Sequence, residues 1–229
     1  MVDLPRKPNM TVNEMVDYLK KDLKKSVEND VSPCLQTEKR EGGYFVIPRL
    51  VLSYVDYLGA LHHGYSGSHK PKGRRIFADH TYAKSFIRDF FGPLFANYRT
   101  FGDLLWEIYR NGTIHLYEPL TLENSDVIIS WQIFKGRSGE RTILGDPTQS
   151  GRLIPLTHVL PWPIVSPTKG ESHPNEWILP ISTTCLHDDL LSAIDGFADF
   201  IQADSDAQRR FASTMEALVI PEKTCLKWW

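Results

Sequence analysis

Apolar residues recur at helical spacing through the first half of the chain. Over residues 11–29, Val12, Met15, Val16, Leu19, Leu23 and Val27 form one stripe and lysines fill the opposite side. The pattern predicts an amphipathic helix with Thr11 or Asn13 as its cap. Polar residues around Ser32-Pro33 and from Lys39 to Gly43 follow. The run over residues 44–61 then carries Ile47, Leu50, Val51, Tyr54, Val55, Leu58 and Leu61, which predicts a second, more buried helix with Pro48 in its first turn. Residues 62–75, HHGYSGSHKPKGRR, have no hydrophobic period and are expected to form a surface loop. A third helix is expected over 79–91, capped by Asp79 and closed by Gly92-Pro93. A fourth is expected over 100–109, where Thr100 and Asp103 have capping-box spacing and Leu104, Leu105 and Ile108 point inward.

The pattern changes after Pro119. Val127 to Phe134, Arg152 to Leu156 and Trp177 to Ile181 are short runs, β-branched or aromatic, bounded by Gly, Pro and Ser, and predict a small antiparallel sheet. Pro155, Pro161, Pro163 and Pro180 should confine these strands to edges or make them irregular. Helical spacing returns through Leu190, Leu191, Ile194, Phe197 and Ile201, and again through Phe211, Met215 and Leu218. His187, Asp188 and Asp189 read as the cap and first turn of that fifth helix. The expected fold is mainly α with a β insertion (α+β). It is a bundle of about six helices plus a small antiparallel sheet, in one domain over 1–229 with the insertion at about 125–182.

Composition narrows the function classes. The 26 Lys plus Arg against 28 Asp plus Glu give a net charge of −2, which disfavours a wholesale nucleic-acid coat but leaves room for a local basic patch. Cys34, Cys185 and Cys225 are far apart and form no CxxC, so an intracellular, cytoplasmic protein with reduced thiols is the expectation. The first residues run quickly into charge, against a signal peptide. No segment approaches ~20 uninterrupted apolar residues, against a membrane span. Neither GxxxxGK[ST], GxGxxG nor GxSxG occurs, which removes nucleotide-loop, Rossmann and α/β-hydrolase readings. His62, His63, His69 and His80 have no Cys or paired carboxylate at ligand spacing, so neither a metal nor another cofactor is expected.

The stretch Tyr109 to Tyr117, YRNGTIHLY, holds the candidate chemistry. Arginine is a permanent cation whose planar fork matches phosphate oxygens, and histidine gives and takes protons near neutral pH. Arg110 and His115 together suit the cleavage of a phosphodiester. The histidine would serve as general base or acid for attack by a ribose 2′-hydroxyl, with the arginine stabilising charge on the phosphorus oxygens. On an ideal helix five residues turn through about 500°, leaving the two side chains roughly 140° apart. Convergence therefore requires a bend at Gly112 or a meeting across a dimer axis. The plainer alternative has Arg110 capping the helix end and His115 sitting in a loop.

Arg110, Asn111 and His115 match the Arg-x4-His motif of the HEPN superfamily, in which a polar residue often follows the arginine, and the chain resembles that group in helical order over residues 11–118, with 188–220 as a further stretch. The β insertion departs from the all-helical pattern. The resemblance implies metal-independent cleavage of single-stranded RNA, Asn111 orienting substrate or histidine, and a homodimer whose two motifs line one cleft. It also implies work in toxin–antitoxin, antiviral defence or RNA-processing systems, with an antitoxin or effector protein as a further partner. Lys70, Lys72, Arg74 and Arg75 of the basic segment would grip the RNA backbone and Tyr65 would stack a base. Two alternatives stay open: an interaction module docking through Trp228 and Trp229, and a HEPN-like nucleotide binder without cleavage.

Overall fold

The computed structural model describes residues 9–36, 45–64, 69–70, 74–75, 80–112, 118–124, 126–146, 151–165 and 172–219, with the backbone alone at 69–70, 74–75, 165, 172–174 and 219. Among the described residues, six helices and a small mixed sheet form an α+β fold that is mainly helical. Helix α1 has three continuous pieces: Val12–Asp17, the π-helical Tyr18–Leu23, and Lys24–Gln36. Its start is set by a capping box, in which the Thr11 side chain accepts from the Glu14 N–H and the Glu14 carboxylate accepts from the Thr11 N–H at 2.8 Å. The helix continues past Ser32 and Pro33, where the sequence suggested a loop, because Val31 is buried and Asp30 accepts the Tyr54 hydroxyl at 2.6 Å.

Helix α2 is Val46–His63, with Pro48 in its first turn. Helix α3 is His80–Phe86 continued by the π-helical Ile87–Phe91. Helix α4 is Asn97–Leu105 continued by the π-helical Trp106–Asn111. It starts before Thr100, so Thr100 and Asp103 stand inside the helix rather than forming its cap. The earlier start carries Tyr98 into the core, where its hydroxyl is bonded. Helix α5 is Thr183–Ala203 and α6 is Ser205–Val219. Ser182 caps α5 by accepting the Cys185 N–H at 3.2 Å, which moves Asp188 and Asp189 from the expected cap into the second turn. Leu186, Leu190, Ile194, Phe197 and Ile201 of α5 are fully buried and form the centre of the core. The apolar stripes of α1, α2 and α6 close on this helix.

Strands β1 (His69–Lys70) and β2 (Arg74–Arg75) pair antiparallel within the segment expected to be a loop. Pro71 and Gly73, turn-forming residues, lie between them in sequence. The main sheet has the order β3-β4-β8-β7: β3 is Leu122–Asn124, β4 Val127–Phe134, β7 Trp162–Val165 and β8 Ser172–Ser182. A separate ribbon pairs β5 (Thr142–Gly145) with β6 (Ile154–Thr157). The expected all-antiparallel sheet is corrected at its centre, because β4 and β8 run parallel from Ile128↔Glu176 to Phe134↔Ser182. Residues 135–171 supply the long crossover that a parallel pair needs.

Pro180 lies in this central strand, not at an edge. Its carbonyl accepts the Val159 N–H at 2.8 Å, so the side of the strand lacking an N–H faces beyond the last β7 pair, Trp162↔Ile178. No β4 hydrogen bond is lost there. Among the described residues no helix is long and apolar enough to cross a membrane.

Candidate functional site

Two polar centres stand out against this core, each built on an arginine and an aspartate. The first lies at the C-terminal end of α4. Asp56, an acid within the apolar run of α2, accepts Arg110 Nε at 2.9 Å and Nη2 at 2.7 Å, both on Oδ2. The side chains are 23% and 15% exposed. Burial pushes the Asp56 carboxyl above the ordinary aspartate range, and Arg110 pulls it back only in part. The guanidinium also lies over the Trp106 ring, 5.4 Å from its centroid. Asp56 takes two of the five N–H donors an arginine carries.

One turn of π-helix sets the neighbours. Asn111 Nδ2 donates to Glu107 Oε2 at 2.7 Å, and Lys84 of α3 donates to the other Glu107 oxygen at 2.6 Å. Burial opposes ionisation of Glu107, but Lys84, Asn111 and nearby His80 together hold its carboxyl below the usual range. Asp56, His80, Trp106, Glu107, Arg110 and Asn111 line a cleft of about 410 Å³. Trp106 adds a buried indole N–H with no acceptor among the described residues. A π-helical turn inside an α-helix is a frequent mark of functional positions.

Gly112 does not supply the bend that convergence of Arg110 and His115 within one chain would use. It stays helical, with φ −61° and ψ −55°, so it makes no left-handed bend. Its role is close approach: a Cβ there would lie 2.6 Å from the Glu118 carbonyl oxygen. Leu120 donates its N–H to the Ile108 carbonyl at 2.8 Å. Glu118 is therefore back against Gly112, the residue after Asn111.

The second centre joins the β insertion to the helices. Arg141, just before β5, grips Asp189 of α5 with both terminal nitrogens, Nη2 to Oδ1 at 2.5 Å and Nη1 to Oδ2. Asp189 is 4% exposed. Tyr98 of α4 donates its hydroxyl to Asp189 Oδ2 at 2.7 Å. His158, in the turn after β6, accepts the Ser182 N–H on Nδ1 at 2.8 Å, which leaves its proton on Nε2 for the Tyr98 oxygen at 2.7 Å. Burial, reinforced by Arg141, pushes the His158 pKa down to about 3. The turn is held in the left-handed region at Val159, φ 52°, a conformation a β-branched residue rarely adopts. Both Asp189 oxygens, the Tyr98 hydroxyl and both ring nitrogens of His158 have partners, as a staple requires.

Of the residues singled out from sequence, Arg110 and Asn111 share the cleft. His115, Tyr65 and Lys72 lie outside the described residues, as do Trp228 and Trp229. Lys70, Arg74 and Arg75 sit on the β1–β2 ribbon. His62 is not at the surface as its place at a helix end suggested. Phe86, Phe90, Phe197 and Phe200 surround it, Nδ1 has no partner among the described residues, and burial followed by the His63 charge pushes its pKa down to about 4.

Sequence reasoning missed Asp56, Glu107, Arg141, Tyr98 and His158, and treated Asp189 as a helix cap. A signal existed for two of them: an acid inside an apolar run needs a partner, as at Asp56, and Glu107 with Asn111 has i, i+4 spacing. No family model, curated protein or solved structure matches the chain.

Proposed function

We propose that the protein is an endoribonuclease resembling the HEPN group, in which Arg110 and His115 cleave single-stranded RNA through attack of a ribose 2′-hydroxyl. The observation that carries this reading is the half-used fork of Arg110 in the cleft. Asp56 fixes the orientation of the guanidinium on one oxygen, and the remaining donors are available to the non-bridging oxygens of a phosphate. His115 is three residues along the chain from both Gly112 and Glu118, a reach of at most ~11 Å from either by chain length alone. Gly112 directly follows Asn111 of the cleft, and the Glu118 carbonyl lies against Gly112.

In this mechanism His115 exchanges the proton of the attacking hydroxyl and Arg110 balances charge on the phosphorus oxygens. Asn111, held by Glu107, orients the substrate. Lys70, Lys72, Arg74 and Arg75 track the RNA backbone, and Tyr65 stacks a base. A homodimer would bring the motifs of both chains to one shared cleft, and an antitoxin or effector protein would control access.

Incubation with single-stranded RNA in EDTA tests the proposal. Wild-type protein is expected to yield 2′,3′-cyclic phosphate ends, with cleavage lost in His115→Ala and Arg110→Ala. Equal cleavage in all three proteins, or none in the wild type, overturns it. Thermal stabilisation by a nucleotide without turnover would instead support the non-catalytic nucleotide-binding reading.

A further inference from the structure

A side-chain amide ends in one oxygen and one nitrogen, and its neighbour decides which of the two a ligand meets. Asn111 Nδ2 donates to Glu107 Oε2 at 2.7 Å, and Lys84 of α3 donates to the other Glu107 oxygen at 2.6 Å. An ionised carboxylate only accepts, so the opposite setting of the amide would put two acceptor oxygens together. The Lys84–Glu107 pair therefore fixes the amide and leaves the Asn111 carbonyl oxygen unused.

The unused atoms of the cleft are of both kinds. Asn111 Oδ1 and Asp56 Oδ1 have no partner among the described residues, and neither is sealed from solvent. Arg110 keeps N–H donors. An RNA phosphodiester supplies acceptors only, so a bare phosphate would answer the arginine and leave both oxygens idle. A phosphate that carries a hydroxyl-bearing sugar answers both. Trp106, the one Trp, Tyr or Phe in the described lining, is buried and has Arg110 over its ring, so it offers no free face for stacking a nucleobase. These atoms suit a sugar-phosphate.

Resting on the ribonuclease reading above, we infer that Lys84 and Glu107 are positioning residues that hold the Asn111 carbonyl oxygen as acceptor for the 2′-hydroxyl of the nucleotide on the 3′ side of the phosphate gripped by Arg110. The 2′-hydroxyl on the 5′ side is the nucleophile and must give its proton away during the reaction. The hydroxyl on the 3′ side keeps its proton throughout and is free to donate it to an amide oxygen. Such a contact separates RNA from DNA without reference to sequence, because the 2′-hydroxyl is the group in which the two strands differ. Lys84 and Glu107 act through Asn111 and need not touch the strand.

Uridine 5′-monophosphate carries the phosphate and the nucleoside on its 3′ side, and has no hydroxyl placed to attack that phosphate. Calorimetric titration of the full chain with this nucleotide, with 2′-deoxyuridine 5′-monophosphate and with inorganic phosphate tests the inference. Wild type is expected to bind the ribonucleotide roughly 3–10-fold more tightly than its deoxy counterpart, the worth of one neutral hydrogen bond. Asn111→Ala and Lys84→Met should bring that ratio to about one while inorganic phosphate binds as before, and Lys84→Arg, which keeps a cation on Glu107, should retain it. A ratio of one in the wild type overturns the inference, as does a ratio that Lys84→Met leaves unchanged, or no binding of either nucleotide. Each of those results leaves the ribonuclease reading standing, because that reading falls on a different measurement, the absence of RNA cleavage by wild type in EDTA.

Discussion

Arg110 and Arg141 each grip an aspartate that projects from a helix, yet the two pairs are built for different ends. Arg141 meets Asp189 fork to fork, one nitrogen to each oxygen, with Tyr98 and His158 satisfying what remains. Arg110 places two nitrogens on a single oxygen of Asp56 at the edge of a cleft and keeps further donors in hand. The first pair ties β5, β6 and the end of β8 to α4 and α5, so its contribution is to position the insertion. The second leaves hydrogen-bonding capacity unspent. A partner saturated on every side is structural, and a partner saturated on one side is available for a ligand.

The largest test of this contrast is Asp189→Ala. Removing the carboxylate strands the buried Tyr98 hydroxyl and leaves the half-buried Arg141 without its partner, with an expected loss of about 3–5 kcal/mol in denaturant unfolding. A loss no greater than that of Arg110→Ala would abolish the distinction between the two centres.

Acid sharpens the same point. His62 and His158 have folded pKa values of about 4 and about 3, below the ordinary 6.5, so the unfolded chain takes protons first as pH falls. Their contribution is therefore whole above pH ~6.5 and is lost progressively toward pH 4 and below, roughly 2–3 kcal/mol for each ring by pH ~4.5. His62→Phe replaces an imidazole that has an unpartnered nitrogen with a ring suited to its phenylalanine neighbours. It should flatten the acid limb of stability against pH by one such share while His158 retains its own. An unaltered limb would show that His62 is not held neutral in the fold.

Gly112→Ala probes how the cleft is closed. With the Glu118 carbonyl 2.6 Å from the added carbon, the returning segment must move, at an expected cost of about 1–3 kcal/mol together with loss of RNA cleavage. A melt identical to wild type would mean that the close approach is not needed.

Arg110→Ala has the smallest expected effect on stability, about 1–2 kcal/mol, because burial already raises the Asp56 carboxyl, which then takes up a proton when its partner is gone. Its effect on RNA cleavage is expected to be the greatest per unit of lost stability, ~10²–10³-fold. Comparing melts and initial rates for Arg110→Ala and Asp189→Ala on one protein preparation reads both halves of the contrast.

The periodic stripes over 12–27, 47–61 and 190–201 specified where helices run, and of the two caps the sequence offered for the first, Thr11 and Asn13, the structure uses Thr11. The helical run through Leu104, Leu105 and Ile108 was legible too. The start of α4 was not, because Tyr98 is drawn into the helix by His158 and Asp189, residues far along the chain. Nor was the direction of β8 relative to β4 legible. Side-chain alternation has a period of two in either sense, so it reports which face is buried and not which way a neighbour runs.

By itself, then, the chain's order of residues determined the main helical stripes, their apolar faces, and the placing of Arg110 and Asn111 just after one such stripe, since each of these is a property of neighbours three to four positions apart. The tertiary structure alone decided that Asp56 orients Arg110 from 54 positions away and that Asp189 holds Arg141 from 48. Ion pairs form through space at 2.5–3 Å and leave no periodic trace along the chain. A charge written into an apolar stripe announces only that some partner is required, and packing chooses which one.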